Sequence, residues 1–217
     1  MTGKKRIIVI KIGSSVLLTG RNKLDEFRIA HIADQIITLQ NAGYNIVFVV
    51  SGAVACGVNL MTNASDRLHL SSDRLMRQAA SGIGQVYLIS TLLRIFEQKK
   101  LQIAQILLRS EDLKSASVRN NLKESLAFYM QSKIIPVFNE NDVLELNSFG
   151  GNDFLAAEIT MLLKADQLFI LSTQEGSTFG VGGGKSKLEA VSLLTSRNIK
   201  ASIVNGKAKN ILLKTLL

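Results

Sequence analysis

Lys11 is the first residue whose type and position suggest chemistry, because it is a charged side chain inside an apolar run. A buried ammonium group is costly unless an anion lies beside it. Gly13, Ser14 and Ser15 follow directly, and the backbone N–H groups of such a turn can bind phosphate oxygens. The motif indicates a phosphate site, while a strand-end lysine that reaches solvent is an equal alternative.

Lys187 is the second lysine of interest, and it follows a glycine-rich run near the other end of the chain. The run reads Val181, Gly182, Gly183, Gly184, Lys185, Ser186 and Lys187. It is not a Walker A motif, which needs a glycine where this chain has Phe179. A glycine run before a helix can still hold an anion with its N–H groups, with Lys187 in the first turn of that helix. A flexible surface loop is the alternative.

Carboxylates and amides follow a buried strand in a third motif, Asn139-Glu140-Asn141-Asp142, and Gly150-Gly151-Asn152-Asp153 comes soon after. Carboxylates accept hydrogen bonds from an ammonium group, and amides can bind a carboxylate. The segment therefore favours a site for a small ligand that carries such groups. A further small-residue turn, Ser51-Gly52-Ala53-Val54-Ala55-Cys56-Gly57, is typical either of ligand approach or of close packing. Cys56 within it is expected in the core.

The elements that must position these residues alternate between strand-like and helix-like segments. Strands are predicted at 7–12, 46–50, 103–108, 134–138, 167–171 and 201–204. Helices are predicted at 25–42, 66–98 (with Ser65 or Asp66 as N-cap), 111–131, 153–164 and 187–196. This alternation indicates one α/β domain over residues 1–217, a three-layer α/β/α sandwich with a mostly parallel central sheet. The motifs fall at strand carboxyl ends, where open parallel sheets bind ligands.

Composition narrows the function further. Hydrophobic residues make up 47% and charged residues 20% of the 217, which is ordinary for a globular protein. The apolar runs are too short to cross a bilayer, and no signal-peptide cleavage site follows the N-terminus. The chain has one cysteine and therefore no disulfide framework. We therefore expect a cytoplasmic protein with no membrane partner. The net charge of +9 is scattered, which favours small anions and disfavours nucleic acid as a partner. The two histidines lack partners at ligand spacing, so no metal-binding cluster of side chains is expected.

Taken in order, these motifs resemble the amino acid kinase family, and within it the branch that phosphorylates the side chain of glutamate. The resembling segments are 10–15, 50–57, 78–85, 105–108, 136–142, 151–153 and 182–188. They cover nearly the whole chain, and the segment 136–142 is the most specific of them. The resemblance implies an α/β/α fold and transfer of the ATP γ-phosphoryl group to the side-chain carboxylate of glutamate, the first step of proline biosynthesis.

The same resemblance implies a role for individual residues. Lys11 and Lys187 would stabilise charge on the transferring phosphoryl group, and Ser51, Asp142 and Asn152 would bind glutamate. The implied ATP-binding residues are Gly13, Ser14, Ser172, Thr173, Val181, Gly182, Gly183, Gly184, Lys185 and Ser186. Magnesium (Mg2+) would be carried largely by phosphate oxygens, and no general base is needed because a carboxylate nucleophile is already ionised at neutral pH. Members of the family are commonly oligomers, so a homo-oligomer is expected.

Three departures from the family pattern bear on function. Thr173 and Gly151 both stand where the family usually has aspartate. The segment 176–179 leads almost directly from the fifth strand to the glycine run, where the family has a longer segment that holds part of the nucleotide. No RNA-binding-like domain is expected at the C-terminus. Two alternatives therefore stay open: a non-catalytic relative with a binding or regulatory role, and a kinase for another small carboxylate or phosphate.

Overall fold

The computed structural model describes residues 6–64, 73–173 and 184–217, with backbone alone at 62–64. The strands are β1 (Ile7–Ile12), β2 (Asn45–Val50), β3 (Ile103–Leu108), β4 (Ile135–Glu140), β5 (Gln167–Ser172) and β6 (Lys200–Asn205). They form one sheet in the order β3-β4-β2-β1-β5-β6, and every pairing within it is parallel. The parallel α/β architecture predicted from the sequence is confirmed.

Helices connect the strands and cover both faces of the sheet. They are α1 (Ser14–Leu17), α2 (Glu26–Asn41), α3 (Ala53–Ala64), α4 (Asp73–Gln98), α5 (Ala116–Gln131), α6 (Asn152–Leu163), α7 (Gly184–Thr195) and α8 (Ile211–Leu216), with a 3-10 helix at Ser110–Lys114. Local hydrogen bonds set two of the starts. Asp25 accepts from the backbone N–H of Arg28 at 2.9 Å to cap α2, and Ser115 accepts from Val118 to cap α5.

The central strand β1 divides its side chains between two cores. Ile8, Ile10 and Ile12 belong to the core built with α2, α4 and α8. Val9 belongs to the other core, built with α5, α6 and α7. Because successive side chains of a strand point to opposite faces, Lys11 shares the face of Val9 and lies toward α6. This alternation determines which helix can supply the counter-charge for Lys11.

Helix α3 has no counterpart among the helices predicted from the sequence. Its first residues belong to the small-residue motif after β2, which the sequence indicates as a turn. It is placed by packing against α4, with backbone touching backbone. A Cβ added to Gly57 would lie 1.8 Å from the carbonyl oxygen of Ala80, and one added to Gly84 would lie 1.8 Å from that of Ala53. Glycine at both positions therefore permits the crossing of the two helices.

Strand β4 is longer at its carboxyl end than predicted. Asn139 and Glu140 lie within the strand and are buried, whereas the sequence suggests that both belong to the loop after it. Pairing explains the extension, because Asn139 and Glu140 lie opposite Leu107 and Leu108 of β3. Helix α8 is also absent from the prediction, and the predicted N-cap at residues 65 or 66 lies outside the described residues.

Helix α4 is long and apolar enough to cross a bilayer by length and composition alone, and it is the one such helix among the described residues. Half of its most apolar stretch is buried inside the protein, where Leu88, Leu92 and Ile95 contribute to the core. The apolar character of α4 is therefore accounted for by its place beneath α3 and against the sheet.

Replacing Gly84 by alanine should destabilise the fold, although alanine is the better helix former. The added methyl group would overlap the backbone of α3, which cannot move aside as a flexible side chain would. We expect the free energy of unfolding to fall by about 1–3 kcal/mol. Urea unfolding measures the change, with Gly20→Ala as control, because nothing lies within 4 Å of a Cβ at that position. An equal effect of the two substitutions would contradict the packing argument.

Candidate active site

A cavity of about 440 Å³ opens at the carboxyl ends of β1, β2 and β4. Its lining includes the predicted catalytic and substrate residues, Lys11, Lys187, Ser51, Asp142 and Asn152, together with Gly13 and Ser14. The fold thus brings residues from both ends of the chain into one concavity. A larger concavity, of about 630 Å³, lies at the amino ends of β3 and β4 and contains none of the predicted residues.

Lys11 forms a buried ion pair with Asp153. The lysine is 5% exposed and the aspartate 3%, and Lys11 Nζ lies 2.7 Å from Asp153 Oδ1. Asp153 lies in the first turn of α6, the helix that packs on the same face of β1. Burial lowers the pKa of Lys11, and the neighbouring carboxylate opposes that shift. Two charges buried this deeply are costly, so the pair points to function more than to stability.

Asp153 also contacts the second lysine. Its Oδ2 accepts a hydrogen bond from Ser186 Oγ at 2.9 Å and lies 3.7 Å from Lys187 Nζ. Ser186 and Lys187 both lie in the first turn of α7. One carboxylate therefore gathers two ammonium groups from opposite ends of the chain. The motif that contains Asp153 is predicted to accept from an ammonium group, but the sequence does not indicate that the group belongs to Lys11. The signal that could have shown it is the lysine itself, because a lysine buried in a central strand needs a carboxylate on its face of the sheet.

Asp142 is held by the loop that follows β4. Its Oδ1 accepts a hydrogen bond from the backbone N–H of Asn147 at 3.0 Å, and Asn147 has a left-handed backbone (φ 51°). Burial raises the pKa of Asp142, while that N–H group and the guanidinium of Arg77 oppose the shift. Arg77 lines the same cavity and is a cation that is absent from the predicted site residues. The cavity thus offers acceptors and a cation besides the two lysines.

Gly13 has a steric reason to be glycine. A Cβ at this position would lie 3.2 Å from the carbonyl oxygen of Leu171 and 3.7 Å from Lys11 Nζ, so a side chain would crowd the ammonium group. The N–H group of Gly13 donates to Leu171 at 3.0 Å and is not free for a phosphate, contrary to the simplest reading of the turn. The N–H groups of Ser14 and Ser15, at the start of α1, have no intrahelical acceptor.

The other residues of the predicted ATP site are only partly brought together. Ser172 ends β5, and the N–H of Thr173 lies 3.5 Å from Ser15 Oγ, which joins this strand end to the turn after β1. Gly184 begins α7. The side chain of Lys185 is 90% exposed and faces Glu189 rather than the cavity. Val181, Gly182 and Gly183 lie outside the described residues.

Cys56 and His31 have structural environments. Cys56 is fully buried, and burial raises the pKa of its thiol to about 11, so it stays neutral near pH 7. Its predicted place in the core is confirmed. His31 Nε2 accepts a hydrogen bond from the backbone N–H of Asn210 at 3.2 Å, which ties α2 to the start of α8. His69 lies outside the described residues.

The cavity carboxylates suit a metal ion that arrives with phosphate better than a resident one. Within residues 6–64, 73–173 and 184–217, no three histidine, cysteine or acidic side chains are grouped to hold a metal. Asp153 already contacts two lysines, and Asp142 accepts from the backbone. Magnesium typically binds phosphate oxygens, waters and one or two carboxylates, so this donor set is compatible with a magnesium–nucleotide complex.

Glu140 is a buried carboxyl group below the loop that carries Asp142. Its Oε2 accepts a hydrogen bond from the backbone N–H of Phe149 at 3.1 Å, which ties the end of β4 to the far side of that loop. Burial raises the pKa of Glu140 to about 7, with smaller contributions from Asp142 and Glu145, while the Phe149 N–H opposes the shift. The group therefore titrates in the physiological pH range.

Replacing Glu140 by glutamine should change how stability depends on pH. The pKa of Glu140 is about 7 in the folded protein, above the value of about 4.3 for an unfolded chain. Its contribution to stability is therefore complete below about pH 4 and is lost as the pH rises through about 7. Glutamine does not ionise, so its stability does not fall in this way. Between about pH 5 and about pH 8, the free energy of unfolding of the variant should therefore rise relative to that of the wild type, by up to about 3 kcal/mol.

Urea unfolding across this pH range measures that gain. Glu124→Gln, at an exposed position on α5, gives the baseline for removing a surface carboxylate. A difference between Glu140→Gln and wild type that does not vary with pH would show that the carboxyl group is not desolvated as described.

Sequence comparison relates the chain to known kinases. The profile of the amino acid kinase family matches residues 6–176. Among curated relatives, the glutamate 5-kinase of Clostridium tetani is 30% identical over 94% of this chain and 88% of its own length. Those of Dehalococcoides mccartyi and Acinetobacter baumannii are 33% and 41% identical, over 95% and 78% of this chain and 65% and 44% of their own. The Clostridium alignment runs over 240 positions, more than the 217 residues here, so that relative has residues that this chain lacks.

Solved structures share the fold across different substrates. UMP kinase from Ureaplasma parvum has a TM-score of 0.64 at 16% identity and covers 98% of this chain and 95% of its own. Giardia carbamate kinase has a TM-score of 0.64 at 11% identity and covers 97% and 96%. These likenesses show the fold, and they do not choose a substrate. With the family profile matching most of its length, the chain belongs to the amino acid kinase family of phosphotransferases.

Proposed function

We propose that this protein is an ATP-dependent glutamate kinase, which converts the side-chain carboxylate of L-glutamate to glutamyl 5-phosphate in the first step of proline biosynthesis. The observation that carries the proposal is the meeting of Lys11 and Lys187 on Asp153. It takes place in the cavity that also contains the three predicted substrate residues. The relatives named glutamate 5-kinase support the choice of acceptor.

The two lysines would supply the charge stabilisation that phosphoryl transfer requires. The transition state spreads negative charge over the oxygens of the transferring group, and catalysis depends mainly on positioning and neutralisation. Asp153 holds both ammonium groups in place, and it offsets the repulsion by which Lys187 lowers the pKa of Lys11. Because the cations are already oriented and partly desolvated, little reorganisation is needed when the phosphate arrives.

The acceptor needs no general base, because a side-chain carboxylate is ionised at neutral pH. Asp142 and the amide oxygen of Asn152 are suited to an α-ammonium group, and Arg77 is suited to an α-carboxylate. The hydroxyl group of Ser51 adds a further hydrogen-bonding group to the cavity. With one carboxylate of glutamate so engaged, the other is the group left to face the lysines.

The nucleotide would bind next to Lys187, at the start of α7. The first N–H groups of a helix have no intrahelical acceptor and favour phosphate oxygens. Gly13, Ser14, Ser172, Thr173 and residues 181–186 remain the proposed nucleotide-binding set. Magnesium held by the phosphates would neutralise part of their charge and polarise the transferring group.

A non-catalytic relative with a binding role is the second candidate. The segment after β5, which leads to the proposed nucleotide-binding residues, favours it. The family profile ends at residue 176, after β5 and before the glycine-rich run. Thr173, in place of the usual aspartate, falls in the same region. Calorimetric titration with magnesium–ATP, followed by a turnover assay with glutamate, separates the two candidates. Binding without turnover would favour the second.

Removing either lysine should abolish most of the activity. We expect Lys11→Ala and Lys187→Ala each to lower kcat/KM for glutamate at least about 100-fold, because each removes a cation from the developing charge. Glutamate-dependent release of ADP measures the loss. Lys123→Ala, at an exposed position on α5, is the control for a simple change in net charge. Wild-type turnover no higher than that of Lys11→Ala would refute a catalytic role for the protein.

Asp153→Asn should lower both activity and stability. It leaves the Lys11 ammonium buried without its counter-charge, so we expect the free energy of unfolding to fall by up to about 3–5 kcal/mol. Adding Lys11→Met to this variant should restore most of the stability, because the most deeply buried ammonium group is then removed and only the less buried Lys187 lacks its carboxylate, but it should restore none of the activity. Urea unfolding and the ADP assay on the three variants measure both effects. A double variant as unstable as Asp153→Asn would show that the ion pair is not the cause.

Cytoplasmic location, a single domain over residues 1–217 and a homo-oligomeric state stay predictions. The outer face of α4 exposes Ile83, Val86 and Leu93, an apolar strip that a second copy of the chain could cover. Light scattering coupled to size-exclusion chromatography measures the oligomeric state.

A further inference from the structure

Three amide side chains form a hydrogen-bonded row from α4 through β4 to α6. Asn139 Nδ2 donates to Gln85 Oε1 at 2.7 Å, and Asn152 Nδ2 donates to Asn139 Oδ1 at 2.9 Å. Gln85 is 8% exposed and Asn139 is 2% exposed, so water does not compete effectively for these bonds. Asn139 and Asn152 line the active-site cavity, whereas Gln85 lies behind them.

The direction of the row is set by a backbone group. The N–H of Glu140 donates to Asn139 Oδ1 at 3.0 Å, and because an N–H group can only donate, the atom facing it must be the amide oxygen. The NH2 group of Asn139 then faces Gln85, which has to present its oxygen. Asn152 in turn has to point its NH2 group at Asn139.

This arrangement leaves the amide oxygen of Asn152 as an open acceptor. The atom is buried and has no hydrogen-bond partner among the described residues. Buried acceptors are nearly always paired, so a partner is expected from outside the chain. The same cavity contains the carboxylate of Asp142, and two acceptors favour a ligand group that only donates, such as an ammonium.

We propose that Gln85 is a positioning residue for the acceptor site, holding Asn139 and through it Asn152 in the orientation that presents the Asn152 oxygen to the ammonium group of the substrate. The proposal rests on the proposed function, because it takes the acceptor to be an amino acid. Gln85 acts through Asn139 and does not touch the substrate. Without the oxygen of Gln85, Asn139 loses the partner of its NH2 group, and its side chain turns to find another.

The test compares two substitutions of Gln85, one that removes the acceptor oxygen and one that keeps it. Gln85→Met keeps the length of the side chain but has no oxygen, and Gln85→Glu keeps an acceptor oxygen. We expect Gln85→Met to raise KM for glutamate about tenfold or more, and Gln85→Glu to stay within about threefold of wild type. KM for ATP should be unchanged in both. Thr91→Val is the matched control, since it removes a buried hydroxyl group from α4 that bonds only within the helix.

Glutarate separates positioning from general damage to the fold. It has both carboxylates of glutamate but lacks the ammonium group. Gln85→Met should lower kcat/KM for glutamate while leaving that for glutarate near the wild-type value, so the preference for glutamate shrinks. Equal losses for the two substrates, or kinetics like those of Thr91→Val, would overturn the proposal.

A measurement on the free protein keeps this test apart from the proposed function. If the wild-type protein does not turn over glutamate, the proposed glutamate kinase activity is refuted. The role of Gln85 can still be tested, because NMR measures how fast the side-chain NH2 group of Asn139 exchanges its hydrogens with solvent. Exchange should be slow in wild type and Gln85→Glu and at least about tenfold faster in Gln85→Met, because the buried bond is lost. Equal exchange rates in wild type and Gln85→Met would overturn the positioning role.

Discussion

The ion pair between Lys11 and Asp153 joins the central strand to the first turn of α6, and the rest of the site is arranged around it. A charge in the middle of a parallel sheet is tolerated only when an opposite charge lies beside it. The alternation of β1 aims Lys11 at α6, and Asp153 reaches across to Lys187 at the start of α7. One buried carboxylate therefore sets the positions of both cations. Because burying charges is costly, the ion pair positions charged groups more than it stabilises the fold.

Parallel topology explains why the remaining parts meet at the same place. All six strands end at one edge of the sheet, so the turn after β1, the turn after β2 and the loop after β4 converge there. Helix α4 reaches this edge because glycines let it cross α3 with backbone in contact. Gly84 lies at that crossing and Gln85 follows it, so the helix contact also delivers the amide that supports Asn139. Packing between two helices thus bears on the orientation of side chains that line the cavity.

Much of the fold could be predicted from the pattern of apolar residues. The bounds of β1 and β3 agree with the prediction, and the other strands differ from it by one or two residues at one or both ends. Helix α3 is missing from the prediction because it begins in a small-residue motif that looks like the turn after a strand, and its contact with α4 exists only in three dimensions. The end of β4 was misplaced for a related reason. Asn139 and Glu140 look like loop residues, and only pairing with β3 and burial under the next loop make them part of the strand.

For the site, glycine turns and polar strand ends are local signals, and they were enough to single out the two lysines and the polar motifs that contain Asp142 and Asn152. The choice of these two residues within the motifs rests on the resemblance to the family. The sequence by itself also determined that the sheet is parallel and that the glycine turn after β1 and the polar segment after β4 lie at the carboxyl edge of it. Only the tertiary structure decided that Lys11 and Lys187 share Asp153, that Arg77 lines the cavity and that Gln85 stands behind Asn139. These are contacts between side chains far apart in sequence. They depend on which face of the strand a side chain occupies, on how the helices cross and on burial, and a local sequence pattern contains none of this information.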